Sequence, residues 1–442
     1  MNFYGEAFYN SARDFFVPLQ GEEKYCTEGF KEIALIYGVT EESYRKTSSL
    51  LNRVRHQAHG GTPSRTIQAL SEHEGLMLED YLEQKVLRIF QEHYFTPQGD
   101  PSSSVLESLI VKASTEEESR LVDTSPASIQ SVSCSLEILS LSCPHEANED
   151  GLNLLVNQLD IEILNERVKT HDLEEQIRKE MLQNPVPYEK REESVCICVD
   201  EVGAKQQKES RKPKSSGPPG KSQRKYVQNT VIHVEQGDRY YILNGYGVWC
   251  VLRLLLAFLL NNDLLSRHLV FFVDGHSLYT SVVQYFCWHP QVSVILDWYH
   301  LKKKCRELLS MASKGSQIRN VILEELMPLL WYGLVDQAID YLSHIAADQI
   351  KNDDERKHLM NYLEKNRGMI PVYAVRRELG LRNSSNRGEK ANDLLVAARQ
   401  KHNGMSWSKT GSVALAYVTA LKKNQTYRTW FRQRELEFKL VS

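Results

Sequence analysis

Cysteine is sparse and unpaired in this chain. The 442 residues hold eight cysteines (26, 134, 143, 196, 198, 250, 287 and 305) and no Cys-x-x-Cys pair. That pattern argues against both a disulfide framework and a zinc ribbon. Cys143-Pro-His145 offers metal-ligand residue types, but no second pair stands near it, so no zinc site is expected there. Long apolar runs are missing too. The longest, Val248 to Leu260, is too short to span a bilayer and carries Arg253. The opening Met1-Asn-Phe-Tyr-Gly5 lacks the basic and apolar regions of a secretory signal. The expectation is a cytoplasmic protein with no membrane partner. Nor is there an excess of one charge: the formal net charge is −3, so any nucleic-acid surface must be a local patch. What remains is ordinary globular material, 41% hydrophobic and 25% charged. The length leaves room for two or three domains.

Residues 1–97 read as helical, with Tyr, Phe and Leu at three- and four-residue intervals. A helix-like stretch from Glu41 to His56, the turn Gly60-Gly-Thr-Pro63 and a second short helix fit a helix-turn-helix as well as a plain bundle. Residues 98–150 turn to Ser, Glu, Pro and Thr, the composition of a linker or insertion. Residues 151–190 return to helix, a connector with Leu164, Val168, Leu173, Ile177 and Met181 on one stripe. That stripe suits packing on its own domain or against another chain.

A β-rich block occupies residues 191–300. Strands are expected at Val195–Asp200, Tyr226–Glu235 and Arg239–Asn244, the last two joined by the tight turn Gln236-Gly237-Asp238. Helix Val248–Leu260, strand Leu269–Asp274, helix Leu278–Phe286 and strand Val292–Asp297 follow. The order β-β-β-α-β-α-β-α describes an α/β fold with a mixed sheet. Its last two strands are apolar enough to be buried on both faces. Residues 301–385 read as an all-helical insertion, including one helix over Val321–Ile345. Residues 386–442 return to the core with a helix from Gly388 to His402. Trp407 and Trp430 are expected in the core.

Three of the β-rich runs stop on a carboxylate: Asp200, Asp274 and Asp297. Glu389 stands in the first turn of the returning helix, where the helix dipole favours its ionised form. In open α/β sheets ligands gather at the carboxyl ends of strands. Carboxylates converging there repel one another unless divalent cations lie between them, an arrangement suited to two-metal phosphoryl transfer. Asp297-Trp-Tyr-His300 adds an acid and an imidazole, read either as an orienting pair or as a helix cap with a satisfied histidine. Glu201 would point to the opposite face if its strand continued. The segment from Lys205 to Lys225 holds Lys205, Lys208, Arg211, Lys212, Lys214, Lys221, Arg224 and Lys225 against one acid, Glu209. Beside Asp200, such a loop suits phosphate neutralisation on DNA.

Together these residues resemble a bacterial insertion-sequence DDE transposase with an RNase H-like catalytic domain. The closer resemblance is to the Mutator-like branch, in which a Cys or Asp, two residues and a His follow the second catalytic Asp. Asp200 matches the first acid, Asp274-Gly-His the second, Asp297-Trp-Tyr-His300 the following element, and Arg387-Gly-Glu389 through Trp407 the segment with the final Glu. The resemblance covers residues 195–430. It implies an RNase H-like sheet split by the helical insertion, with the N-terminal region recognising DNA ends. Asp200, Asp274 and Glu389 would be catalytic and metal-binding, with Asp297 and His300 accessory and two Mg²⁺ ions (Mn²⁺ as substitute). It further implies cleavage of double-stranded DNA at element ends and transfer of a 3′-hydroxyl to a target site. A homodimer or larger assembly on DNA, associated with the nucleoid, would follow. The alternatives are an RNase H-like nuclease without strand transfer and an inactive, domesticated copy that only binds DNA.

Overall fold

In a computed structural model of the chain, the described residues are 28–41, 43–54, 56, 61–110, 177, 179–181, 183–207, 225–401 and 405–441. Three helices open them: α1 (Glu28–Thr40), α2 (Tyr44–Val54) and α3 (Ser64–Glu92). The helix after Pro63 is not the short one expected. It runs 29 residues, because Ile67, Leu78, Val86, Ile89 and Phe90 are all buried along it and the rest of the fold supplies their partners. Most of residues 98–190, including Leu164, Val168 and Leu173 of the apolar stripe, lie outside the described residues. Ile177 and Met181 of that stripe are buried in the main core, as own-domain packing requires.

The sheet has five strands: β1 (Ser194–Lys205), β2 (Tyr226–Gln236), β3 (Arg239–Tyr246), β4 (His268–Val273) and β5 (Val292–Leu296). Their spatial order is β3-β2-β1-β4-β5. β1, β2 and β3 pair antiparallel, whereas β4 runs parallel to both β1 and β5. The β2–β3 turn closes at Gly237, whose φ of 59° a side chain would disfavour. The expected mixed α/β fold is therefore observed. One strand is longer than its sequence suggested. β1 does not stop at Asp200 but continues to Lys205, paired with β2 as far as Tyr226. Alternation persists there, with Val202 and Ala204 buried and Glu201 and Lys205 exposed.

Helix α4 (Val248–Asn261) covers one sheet face, where Ile197, Val199, Ile232, Val234 and Leu243 join its leucines in the main core. Helix α5 (His276–Tyr285) links β4 to β5. After β5 come α6 (Trp298–Ala312), α7 (Ser316–Trp331), α8 (Val335–Ser343), α9 (Asp353–Asn366) and α10 (Tyr373–Glu378). The stretch read as one helix over Val321–Ile345 is thus two, broken at Gly333, where φ is 71°. These helices do not form a separate core, since Leu301, Leu326, Leu330 and Leu363 belong to the same buried cluster as β4 and β5.

The other sheet face carries α11 (Asn386–Asn392), which continues through a π-helical turn, Asp393–Ala397, to Gln400. Beside it lie α12 (Lys409–Lys423) and α13 (Tyr427–Gln433). Val202, Val231 and Ile242 meet Ala391, Leu395, Val396, Ala416 and Ala420 on this face. Trp407 and Trp430 are both buried, as expected. The outer edge of β3 is not left bare. Asn424 donates to the Ile242 carbonyl at 2.8 Å and accepts from its amide at 2.9 Å, imitating a strand. Residue 441 also pairs with Tyr240. Among the described residues no helix is long and apolar enough to cross a membrane.

Candidate active site

Cross-strand partners share a face of the sheet, so the register of β1 with β2 fixes what surrounds Asp200. Cys196 faces Glu235, Cys198 faces His233, and Asp200 faces Val231. All lie on the face that carries α11. Helix α11 packs tightly on this face at Gly388, where a Cβ would stand 2.5 Å from Cβ of Cys198. Contact this close requires glycine. Burial pushes the Cys196 thiol up to about 11 and the Cys198 thiol higher still, so both serve as packing groups.

Farther along α11, Asn392 Nδ2 donates to Asp200 Oδ2. The other oxygen, Oδ1, accepts from the Glu201 amide at 2.7 Å. Asp274 arrives from the neighbouring strand. The parallel β1–β4 pairing ends at Cys198 and Phe272, and Asp200 and Asp274 each stand two residues beyond that pair. Burial pushes the Asp200 carboxyl up and the like charge of Asp274 adds to the shift; the Glu201 amide, His300 and Asn392 oppose it without cancelling it. Glu201 is exposed, as strand alternation requires, but desolvation and the charge of Asp274 raise its carboxyl as well.

Asp297 behaves differently. It is 1% exposed and follows β5 directly as the N-cap of α6. Its Oδ1 accepts from the His300 amide at 2.9 Å, and its Oδ2 accepts from the Ser385 amide. Asn383, two residues before Ser385, accepts from the Trp298 amide at 3.0 Å. The Asn383–Asn386 loop that returns the chain to the core is thereby docked on Asp297. Burial works to raise the Asp297 carboxyl, but His300 and the two amides outweigh it and hold the group below its ordinary range. Cap and partner for His300 are therefore one arrangement, not competing ones.

His300 links the two halves of the site. Its Nδ1 lies 3.2 Å from Asp297 Oδ1, an ion pair rather than a directed hydrogen bond, and its Nε2 lies 3.4 Å from Glu389 Oε1. Contact with Asp297 raises its pKa first; burial opposes this, and the charges of Asp297, Glu389 and Asp274 add to the rise. The fold thus brings Asp200 beside Asp274, and Asp297 and Glu389 onto His300. Among the described residues no three His, Cys, Asp or Glu side chains stand close enough together to hold a metal ion.

Of the basic segment, only Lys205 and Lys225 are described. They mark the ends of β1 and the start of β2, joined where the Gln206 amide meets the Lys225 carbonyl at 2.9 Å. Lys208, Arg211, Lys212, Lys214, Lys221 and Arg224 lie outside the described residues. Sequence reading missed Ser385, Asn392 and Gly388. It also missed Glu235, which is buried and paired with Arg382 and Arg387. The Arg387-Gly388-Glu389 triplet was visible, but its glycine gave no sign of facing Cys198.

Residues 238–437 match the model of an uncharacterised protein family (UPF0236). The matched stretch is 200 of the 442 residues and holds Asp274, Asp297, His300 and Glu389, but not Asp200. No curated protein matches the chain.

Proposed function

We propose that the chain is a transposase with an RNase H-like catalytic core, which cuts double-stranded DNA at the ends of a mobile element and joins the 3′-hydroxyl to a target site. The observation that carries this reading is Asp200, on the central strand, whose carboxyl is raised first by burial and then by the neighbouring charge of Asp274. A fold holds two like charges together at a strand end at a cost, and a functional site is where that cost is commonly met. The sheet supports the reading as well. Three antiparallel strands followed by two parallel ones, ordered β3-β2-β1-β4-β5, are what an RNase H-like core requires.

The donor set fits a hard cation, for Mg²⁺ takes a few carboxylates and fills its shell with waters and phosphate oxygens. Asp200 and Asp274 are the pair that would hold it, with Glu389 and a second ion completing the set on the His300 side. Mn²⁺ would substitute. When bound, the metal polarises the phosphodiester and stabilises the leaving oxygen. Asn392 anchors one oxygen of Asp200. With its raised pKa, His300 holds a proton more tightly than free imidazole does and can offer it to a phosphate oxygen. Asp297 fixes the orientation of that ring. At 1% exposure, closed off from an ion where Asp200 is only partly buried, it is a positioning residue rather than a ligand. The basic segment between Lys205 and Lys225 would follow the DNA backbone. Two element ends must be brought together, so the working form would be a dimer or larger assembly on nucleoid DNA.

The test is Mg²⁺-dependent cleavage of a duplex carrying the DNA that flanks the gene. Asp200→Asn and Asp274→Asn should each lower the rate at least roughly 100-fold, the scale of one lost transition-state contact. Cleavage that survives both substitutions would refute the proposed site. Cleavage without joined product would mark a nuclease, and binding without cleavage an inactive copy.

A further inference from the structure

Glu235 is 3% exposed and carries one negative charge, yet two guanidinium groups close on it. Arg382 donates Nη1 to Oε2 at 2.7 Å and Nη2 to Oε1, a bidentate pair. That alone satisfies the carboxylate. Arg387 adds a third donor, Nη1 to Oε1 at 2.5 Å, while its side chain stays 55% exposed. The neighbouring His233, 4.0 Å from Glu235, adds no charge to the cluster, since burial pushes its pKa down to about 4 and leaves it neutral. The cluster therefore keeps one cationic charge in excess, and Arg387 is the half-exposed member that carries it. Arg387 stands two residues before Glu389 on α11, and Glu235 holds one end of its guanidinium fixed.

We propose that Arg387 is an anion-binding residue that contacts a backbone phosphate of the nucleic acid lying across the site. The inference rests on the nucleic-acid reading above. An Nη1 held by a buried carboxylate presents the remaining N–H donors without the entropy cost of ordering a free side chain, as bidentate phosphate recognition favours. Arg382 would be structural, and Arg387 surplus to the charge balance of the folded chain.

The experiment is the salt dependence of binding to a fluorescent duplex of the flanking DNA. It uses the full-length protein with Asp274→Asn to prevent cleavage, and compares Arg387→Gln and Arg387→Lys in that background. Losing one phosphate contact should lower the slope of log affinity against log salt by about 0.9. Between 50 and 200 mM salt, that makes the loss of affinity about threefold smaller. Arg387→Gln should show this change with an unaltered melting temperature, and Arg387→Lys should keep most of the slope. An unchanged slope for Arg387→Gln, with DNA still bound, would overturn this proposal alone. A melting temperature that falls with Arg387→Gln would also overturn it, because the arginine would then be a structural clamp. No binding by the Asp274→Asn parent would remove this proposal and the nucleic-acid reading together.

Discussion

Asp297 and Asp274 each follow an apolar strand, yet they sit in opposite environments. The first is buried with both oxygens bonded, whereas the second is exposed. Asp297→Asn would turn an amide NH₂ toward the Ser385 N–H or weaken the cap on α6. It should cost about 1–3 kcal/mol, the scale of one unsatisfied buried donor or one lost cap. Asp274→Asn should change stability by less than about 0.5 kcal/mol, as exposed substitutions usually do. Urea unfolding of the two variants compares them directly, and equal losses would contradict the division of roles. The pair also sets a pH window. His300 has its pKa raised above 6.5, so its stabilising contribution is complete below that value and is lost as pH rises through the raised pKa. Asp297 has its pKa lowered below 3.8, so its contribution is present above that value and is lost as pH falls through the lowered one. Unfolding free energy should therefore decline as pH rises from about 6.5 through His300's raised pKa, and level off above it. In His300→Gln that decline should be absent. The acids were legible in the sequence because each ends a run of apolar residues. Their partners were not, for Ser385 and Asn392 meet Asp297 and Asp200 across 88 and 192 residues of chain.

Helix α11 carries Glu389 to the sheet, and Gly388 sets how closely it approaches. A methyl group there would collide with Cβ of Cys198. Gly388→Ala should therefore push α11 off β1 at a cost of about 1–3 kcal/mol, the range for overpacking a tight contact. The displacement should reduce cleavage more than the loss of stability accounts for, as comparison of melting temperature with rate on the folded fraction would reveal. Cleavage that falls only with the folded fraction would show that the spacing is not functional. Most elements were legible from periodicity alone, with ends shifted by a residue or two. The misses have separate causes. β1 continues past Asp200 because pairing with β2 overrides the poor strand preference of Asp and Glu. The Val321–Ile345 helix breaks because Gly333 takes a left-handed φ, whereas the apolar pattern runs on through it.

Across the whole molecule, the first and last described helices share one buried ionic centre. Glu74 of α3 is fully buried and accepts from Trp430 Nε1 at 3.1 Å and from Arg434 Nη1 at 2.6 Å, with Lys31 of α1 at 3.4 Å. Glu74→Gln leaves Lys31 and Arg434 with Glu28 as their remaining counter-charge and should cost about 1–3 kcal/mol, the scale of a buried donor losing its charged partner. Urea unfolding of that variant checks this, and a loss under 1 kcal/mol would mean the centre is mostly hydrated. No motif hinted at this join, because it pairs residues more than three hundred positions apart. The order of the apolar runs showed the mixed α/β class, but not that the N-terminal helices pack against α12. The central claim concerns the complete protein acting on DNA. Its most direct test is excision and integration of the flanking element in cells, with wild type beside Asp274→Asn and Asp297→Asn. The account predicts excised and joined products from the wild type and none from Asp274→Asn. Asp297→Asn should retain a reduced activity, lower than its folded fraction alone accounts for, because His300 loses the partner that orients it. Full activity from Asp274→Asn, or no product from a well-folded wild type, would contradict it.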